Sequence, residues 1–190
     1  MEELNLENKI GGNPRDRLVK VSFYITYAFL LTTATITFIE AMRNKDPSIR
    51  HILNLETCIS IVAAFFYGHF MKKLNDKELD YKELNVTRYT DWMITTPIML
   101  LVLCLVFGYN NKTVMSASYF LLIMLMNFVM LAFGYVGEVG LLNRRLAQLG
   151  GFIFFFLLYG TIYFTFLHSN YNFDNQMIFW AFVIFWFLYG

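Results

Sequence analysis

The segment Arg88-Tyr89-Thr90-Asp91-Trp92-Met93-Ile94-Thr95-Thr96-Pro97 sets an arginine and an aspartate three residues apart, at the entrance of a stretch that runs on as IMLLVLCLVFG. On an α-helix, Arg88, Asp91, Trp92, Thr95, Thr96, Met99 and Val102 share one face by the i, i+3, i+4, i+7 rule. A cation, an anion, an indole and two hydroxyls on one face of an apolar helix could hold a buried charge, or take up a proton and give it back. The plainer reading is that Arg88 and Asp91 pair as i, i+3 neighbours and neutralise a helix end. A helix end, however, has no need of Thr-Thr-Pro one turn deeper.

The elements that must position this face follow from composition. Of 190 residues, 57% are hydrophobic, 19% aromatic and 15% charged, and long windows carry almost no charge. A bilayer-spanning helix needs about 20 apolar residues. Such windows occur at 19–42, 52–71, 86–107, 114–139 and 150–167, and a sixth begins near Met177 and runs to Gly190. The expected class is therefore an all-α membrane protein, with a polar tail over 1–18 and one transmembrane helical bundle over 19–190. The sixth helix reads as incomplete, so the polypeptide is expected to continue. The tail has no apolar core of a removable signal peptide. A net charge of +1 gives no reason to expect nucleic acid as a partner. Cys58 and Cys104 fall inside spans without a CxxC or Cys/His pattern, and no metal site is expected. The stretch 72–85, KKLNDKELDYKELN, reads as a solvated loop, and the sequons at Asn85 and Asn111 are weak signals.

Ionisable residues inside a bilayer are costly and mark functional positions. Here they are Glu40 near the end of the first span, Glu56 and His69 on the second, Arg88 and Asp91 on the third, and Glu138 near the end of the fourth. Glu40 and Arg50 flank the first short loop, where a salt bridge within or between subunits would satisfy both. A solvated loop pair is the simpler alternative.

The run Arg88-Tyr89-x-Asp91-Trp92-x-x-Thr95-Thr96-Pro97 resembles the third helix of the microbial rhodopsins, seven-helix proteins that hold retinal through a lysine Schiff base. Asn127-x-x-Met130-x-x-x-Gly134-Tyr135-x-Gly137-Glu138 resembles the retinal-flanking segment of the proteorhodopsin branch. His69, 22 residues before Asp91, stands at the spacing of a histidine that hydrogen-bonds the counter-ion there. Phe182 and Trp186 are similar to aromatics beside the retinal ring, with Phe182-Val183 in place of the usual Tyr-Pro pair.

The resemblance implies all-trans retinal as cofactor, a seven-helix bundle of which this chain shows about six helices, and a membrane-embedded homo-oligomer, pentamer or trimer. It implies a transporter or photoreceptor rather than an enzyme. Asp91 would be the counter-ion and proton acceptor, because a buried cation needs a partner carboxylate. His69, Arg88 and Thr95 would tune it, and Trp92, Thr96, Met130, Gly134, Phe182 and Trp186 would line the retinal site. Glu40, Arg50 and Glu138 are candidates for an ion path or a subunit interface.

Two departures from the pattern shape the mechanism expected. Val102 stands where proton pumps of this family carry a carboxylic donor, 11 residues after the counter-ion. Glu56 lies 13 residues before His69 on the antiparallel second helix. That is about 20 Å of rise against about 16 Å from Asp91 to Val102, which puts Glu56 near the depth of the missing donor. Glu56 is expected to be a relocated donor, an arrangement similar to the viral rhodopsins of large DNA viruses. A glutamate facing a polar helix neighbour or a subunit interface is the competing reading.

The second departure is the lysine. All eight lysines lie outside the spans or at their edges, so the Schiff-base lysine is expected beyond residue 190. The expected function is light-driven proton transport, with a light-gated ion channel or a sensory photoreceptor as alternatives. Lysine and arginine counts favour a cytoplasmic N terminus, whereas the resemblance implies an extracellular one, and the many matching positions favour the latter.

Overall fold

The computed structural model describes residues 14–75, 81–169 and 171–189. These form six helices: α1 (Pro14–Arg43), α2 (Pro47–Asn75), α3 (Tyr81–Asn111), α4 (Ala117–Val139), α5 (Arg144–Phe166) and α6 (Phe173–Tyr189). The first five are long and apolar enough to cross a membrane, and α6 is a shorter apolar helix. Lipid offers no hydrogen bonds to the backbone, so a chain this apolar satisfies its amides within helices. Large side chains such as Phe29, Phe65 and Phe156 remain on the outer surface, as a lipid-facing exterior requires.

The helices extend beyond the apolar windows. α1, α2 and α3 have 30, 29 and 31 residues, or about 45 Å each at 1.5 Å per residue, against a hydrocarbon core of about 30 Å. The stretch 72–85, expected as a loop, is largely helical: α2 runs on to Asn75 and α3 begins at Tyr81. Outside the lipid, helix propensity rather than apolarity sets the ends, and lysine and glutamate are good helix formers. In the other direction, α4 begins at Ala117, three residues later than the apolar window, because Lys112 turns with φ 55° and Thr113 N–H closes on the Gly108 carbonyl.

Local caps fix several starts. Asp46 Oδ1 accepts from Ser48 N–H at 2.8 Å to open α2, Asn143 accepts from Arg145 N–H at 2.9 Å to open α5, and Asn172 accepts from Asp174 N–H at 2.9 Å to open α6.

α3 is the central helix, with 44% of its span buried against 11% for α1. Its residues Leu100, Leu103, Cys104 and Phe107 are all at most 1% exposed, the i, i+3, i+4, i+7 stripe of a core face. They pack with Ile123 and Met126 of α4 and with Phe155, Leu158 and Ile162 of α5. α1 and α2 are joined by a buried Thr37–Thr57 hydroxyl contact of 2.8 Å, a kind of interhelical bond worth about 0.6 kcal/mol in a membrane.

Where α4 meets α5, a Cβ on Gly137 would lie 2.5 Å from the Ala147 Cβ. A methyl group on backbone cannot rotate aside, so Gly137→Ala must force the two helices apart. Overpacking of this kind costs about 1–3 kcal/mol. The expected result is a lower thermal-unfolding midpoint in detergent; an unchanged midpoint would mean that α4 and α5 separate freely.

The last turn of α3 is clasped by three other elements. Tyr109 Oη donates to Asp46 Oδ2 at 2.9 Å. Asn110 Nδ2 donates to Asn175 Oδ1 at 2.6 Å, Asn175 Nδ2 donates to Asn111 Oδ1 at 3.0 Å, and Asn111 Nδ2 donates to the Phe166 carbonyl at 2.7 Å. Asn175 is 1% exposed.

The Tyr109 hydroxyl, followed by the Ser48 amide, holds the Asp46 carboxyl below its ordinary value of 3.8. With the folded value lowered, the stabilisation is complete above the ordinary value and is lost as pH falls through the lowered one. Tyr109→Phe is expected to move the Asp46 midpoint upward in a carbon NMR titration. An unmoved midpoint would deny the bond any energetic role.

Candidate functional site

The face anticipated on α3 lines a cavity of about 540 Å³ bounded by all six helices. Asp91, Trp92, Thr95, Thr96 and Met99 form its α3 wall. Pro97 lies inside α3 and lacks an N–H, and just before it the two threonines turn their hydroxyls onto their own helix. Thr95 donates to the Asp91 carbonyl at 2.9 Å, and Thr96 donates to the Trp92 carbonyl at 2.7 Å. Thr95 was expected to engage the Asp91 carboxylate or its water; its hydroxyl donates to the Asp91 carbonyl and also lies within reach of the Asp91 carboxyl. Thr96 is also reached from α4, where the fully buried Asn127 donates to its hydroxyl at 2.9 Å.

Asp91 is 5% exposed, and its Oδ1 has no hydrogen-bond partner. Burying an unsatisfied carboxyl oxygen costs several kcal/mol unless a donor or cation meets it. Arg88, one turn back, is within electrostatic range of Asp91 and lies over the Trp92 ring at 4.8 Å. The Asp91 oxygen therefore stands on the wall of an apolar cavity, ready for a hydrogen-bond donor or a cation.

The other walls gather most of the anticipated ring-contacting residues. Met130 and Gly134 come from α4 and Trp186 from α6, and all three line the cavity. Phe182 stacks on Trp186 with ring centroids 6.2 Å apart and packs on the core behind the cavity wall. At Gly134 a Cβ would sit 2.6 Å from Tyr89 Oη, so the absence of a side chain is what admits the Tyr89 phenol to the wall. Tyr89 in turn packs edge-on against Trp92 at 5.0 Å.

The remaining candidates separate. Glu56 is half-buried on α2. It shares a stripe with Ile59, Ala63 and Tyr67, at i+3, i+7 and i+11, and those three line the cavity. Val102 is 6% exposed. Glu138 is half-buried on the cavity wall and accepts from Asn85 Nδ2 at 2.8 Å. His69 is exposed on α2 and is not among the lining residues. Glu40 is exposed and bridges to Arg43 at 3.1 Å, so within this chain its partner is Arg43 and not Arg50, which is itself exposed. No cluster of His, Cys, Asp and Glu able to hold a metal occurs among the described residues.

Tyr89, Asn85 and Arg144 belong to the site but carried no assigned role in the sequence. The signal for Tyr89 was its place between Arg88 and Trp92. Asn85 and Arg144 gave none, because their role depends on how distant helices align.

A family model of bacteriorhodopsin-like proteins matches residues 17–190. Among solved structures, viral rhodopsin OLPVRII superposes with a TM-score of 0.85 at 51% identity, over 91% of this chain and 81% of that one. Acetabularia Rhodopsin I shares the fold, with a TM-score of 0.75 at 21% identity over 90% and 75% of the two chains. A green-light absorbing proteorhodopsin from the gamma-proteobacterium EBAC31A08 is 29% identical over 122 residues, which are 64% of this chain and 47% of that protein. The matched region thus spans about half the length of that relative.

Proposed function

The chain belongs to the bacteriorhodopsin-like protein family, and from that premise we propose that it is a retinal-binding, light-driven proton transporter in which Asp91 accepts a proton and Glu56 restores it. The observation that carries the reading is the buried Asp91 Oδ1, without a hydrogen-bond partner on the wall of a 540 Å³ cavity. That volume falls within the range of about 300–1,000 Å³ for small-molecule sites.

The residues fit the cofactor. Trp92 and Trp186 supply aromatic walls for a polyene, Met130 and Thr96 complete the lining, and Gly134 leaves room by admitting Tyr89. Retinal, when bound, supplies a light-isomerised polyene with a cationic nitrogen at its attachment to a lysine. No lysine is among the lining residues, and the lysine anticipated beyond residue 190 is part of this proposal.

Asp91 would supply the negative charge that a buried cation requires, and its unpartnered Oδ1 could take up a proton. Arg88 keeps a positive charge within electrostatic range of Asp91. Glu56 continues the α2 stripe that lines the cavity, so a proton leaving its carboxyl enters on the side away from the N terminus. With the N terminus outside, that side is cytoplasmic and net transport is outward. Val102 offers no titratable group in its place.

The test is illumination of sealed vesicles containing the retinal-loaded full natural polypeptide. A sustained pH change abolished by a protonophore is expected. A photocurrent that reverses with membrane potential, without a pH change at zero potential, would replace the pump with a channel. Absence of both would leave the sensory reading.

A further inference from the structure

We propose that Asn127 of α4 and Tyr159 of α5 hold a buried water molecule between them, in the core behind the cavity wall. Both side chains are almost fully enclosed, Asn127 at 0% and Tyr159 at 3% exposed. Asn127 donates through Nδ2 to Thr96, yet its Oδ1 has no hydrogen-bond partner. The Tyr159 hydroxyl has none either. A buried polar atom left unmet is strongly disfavoured, and here two such atoms stand on neighbouring helices.

The register of α4 and α5 brings these groups to one level. The two helices run antiparallel and touch closely: a Cβ on Gly151 would lie 3.9 Å from the Met130 carbonyl, and one on Gly150 would lie 2.6 Å from the Phe133 ring. Asn127 is three residues before Met130 and Phe155 is four after Gly151, so these two face each other. Tyr159 stems from the next turn of α5, about 5.4 Å further along, but helical side chains lean toward the N terminus of their own helix. Its ring accordingly packs back on Phe155, with centroids 4.9 Å apart. The phenol thereby carries its hydroxyl back toward the level of Asn127.

The two groups are complementary. An amide oxygen only accepts, whereas a phenol can donate. Neither is bonded to the other, and a water joins them by accepting from the Tyr159 hydroxyl and donating to Asn127 Oδ1. That meets the two polar partners a buried water needs at the least. The bridge also fixes the Tyr159 ring, which packs on Phe155 and, at 6.1 Å, on Trp186, both residues of the cavity wall. The water is therefore a joint between the α4 and α5 seam and the aromatic side of the cavity.

Thermal unfolding of the full natural polypeptide in detergent tests the bridge on four proteins: wild type, Tyr159→Phe, Asn127→Ala and the double variant. Tyr159→Phe keeps the ring and removes only the hydroxyl, and it is expected to lower the midpoint by about 2–4 °C. In the Asn127→Ala background the same change is expected to have little effect, because the water has already lost its second partner; the Thr96 bond is missing from both proteins of that pair and cancels. An equal loss in both backgrounds overturns the bridge, as does a midpoint that stays or rises when the hydroxyl is removed from the wild type. A crystal structure of the wild type that shows ordered water distinguishes a bridge from a direct bond. Water within about 3.2 Å of both atoms is expected, and a Tyr159 hydroxyl seated directly on Asn127 or on a backbone carbonyl overturns the inference.

Discussion

Replacing Asp91 with asparagine is expected to reduce light-driven proton transport by at least about 10²-fold, the low end of what a positioned proton-transfer group contributes. The substitution is nearly isosteric. It keeps an oxygen on the cavity wall and leaves the Thr95 hydroxyl on the residue-91 carbonyl, a bond made to backbone. What it removes is charge and proton affinity. The Asp91 Oδ1 has no hydrogen-bond partner that could take over either task, and among the described residues the other acid on the cavity wall is Glu138, beside Asn85.

Acidification of the wild-type pigment is expected to shift its visible band to the red as Asp91 gains a proton and the buried cation loses its counter-charge. Asp91→Asn is expected to be red-shifted at every pH and to show no such transition. Thermal stability should stay close to that of the wild type, since Asp91→Asn preserves the shape of the side chain and an oxygen that can still accept from Thr95. Transport near the wild-type rate, measured as light-induced pH change in vesicles, would remove Asp91 from the mechanism.

Glu56→Gln is expected to slow recovery of the proton-depleted state by about 10²-fold while leaving the first proton transfer unchanged. The argument is one of position. Val102, the α3 residue at the depth where a donor would serve, is 6% exposed and aliphatic. Glu56 is the acidic residue on the α2 stripe that runs through Ile59, Ala63 and Tyr67 into the cavity. With glutamine there, the proton must come from solvent, and recovery should slow about tenfold for each unit of rising pH, while the wild type depends on pH far less. Flash spectroscopy of the full polypeptide over several pH values separates the two cases. Wild-type recovery in Glu56→Gln would return Glu56 to a packing or interface role.

The membrane-spanning architecture was legible from composition because lipid leaves the chain little choice: apolar windows must be helical. The helix ends were not. At Lys72–Asn75 and from Tyr81 onward the helices run on through charged sequence, where propensity and caps decide and apolarity is silent.

The site divides in the same way. The α3 face from Arg88 to Met99 was readable because a helix places its own residues by a fixed period. The bonds that complete the site join positions far apart in sequence: Asn127 to Thr96, and Asn85 to Glu138. They depend on the register between helices, which periodicity within one helix does not contain. Within one chain Glu40 pairs with Arg43 and not with Arg50 for a related reason: Arg43 lies one turn along the same helix and is within reach of the carboxylate.

The asparagine clasp at the end of α3 bears on how α6 can move. Asn110 donates to Asn175, and Asn175 donates back to Asn111. Two oppositely directed bonds thus lock the same pair of helix ends, while Asn111 spends its own amide on the end of α5. A slide or twist of α6 stretches both bonds at once, and a buried amide left without partners is strongly disfavoured. Release of the start of α6 is therefore expected to break both bonds together. Any displacement of that helix end would then set in with a threshold, not as a graded spring.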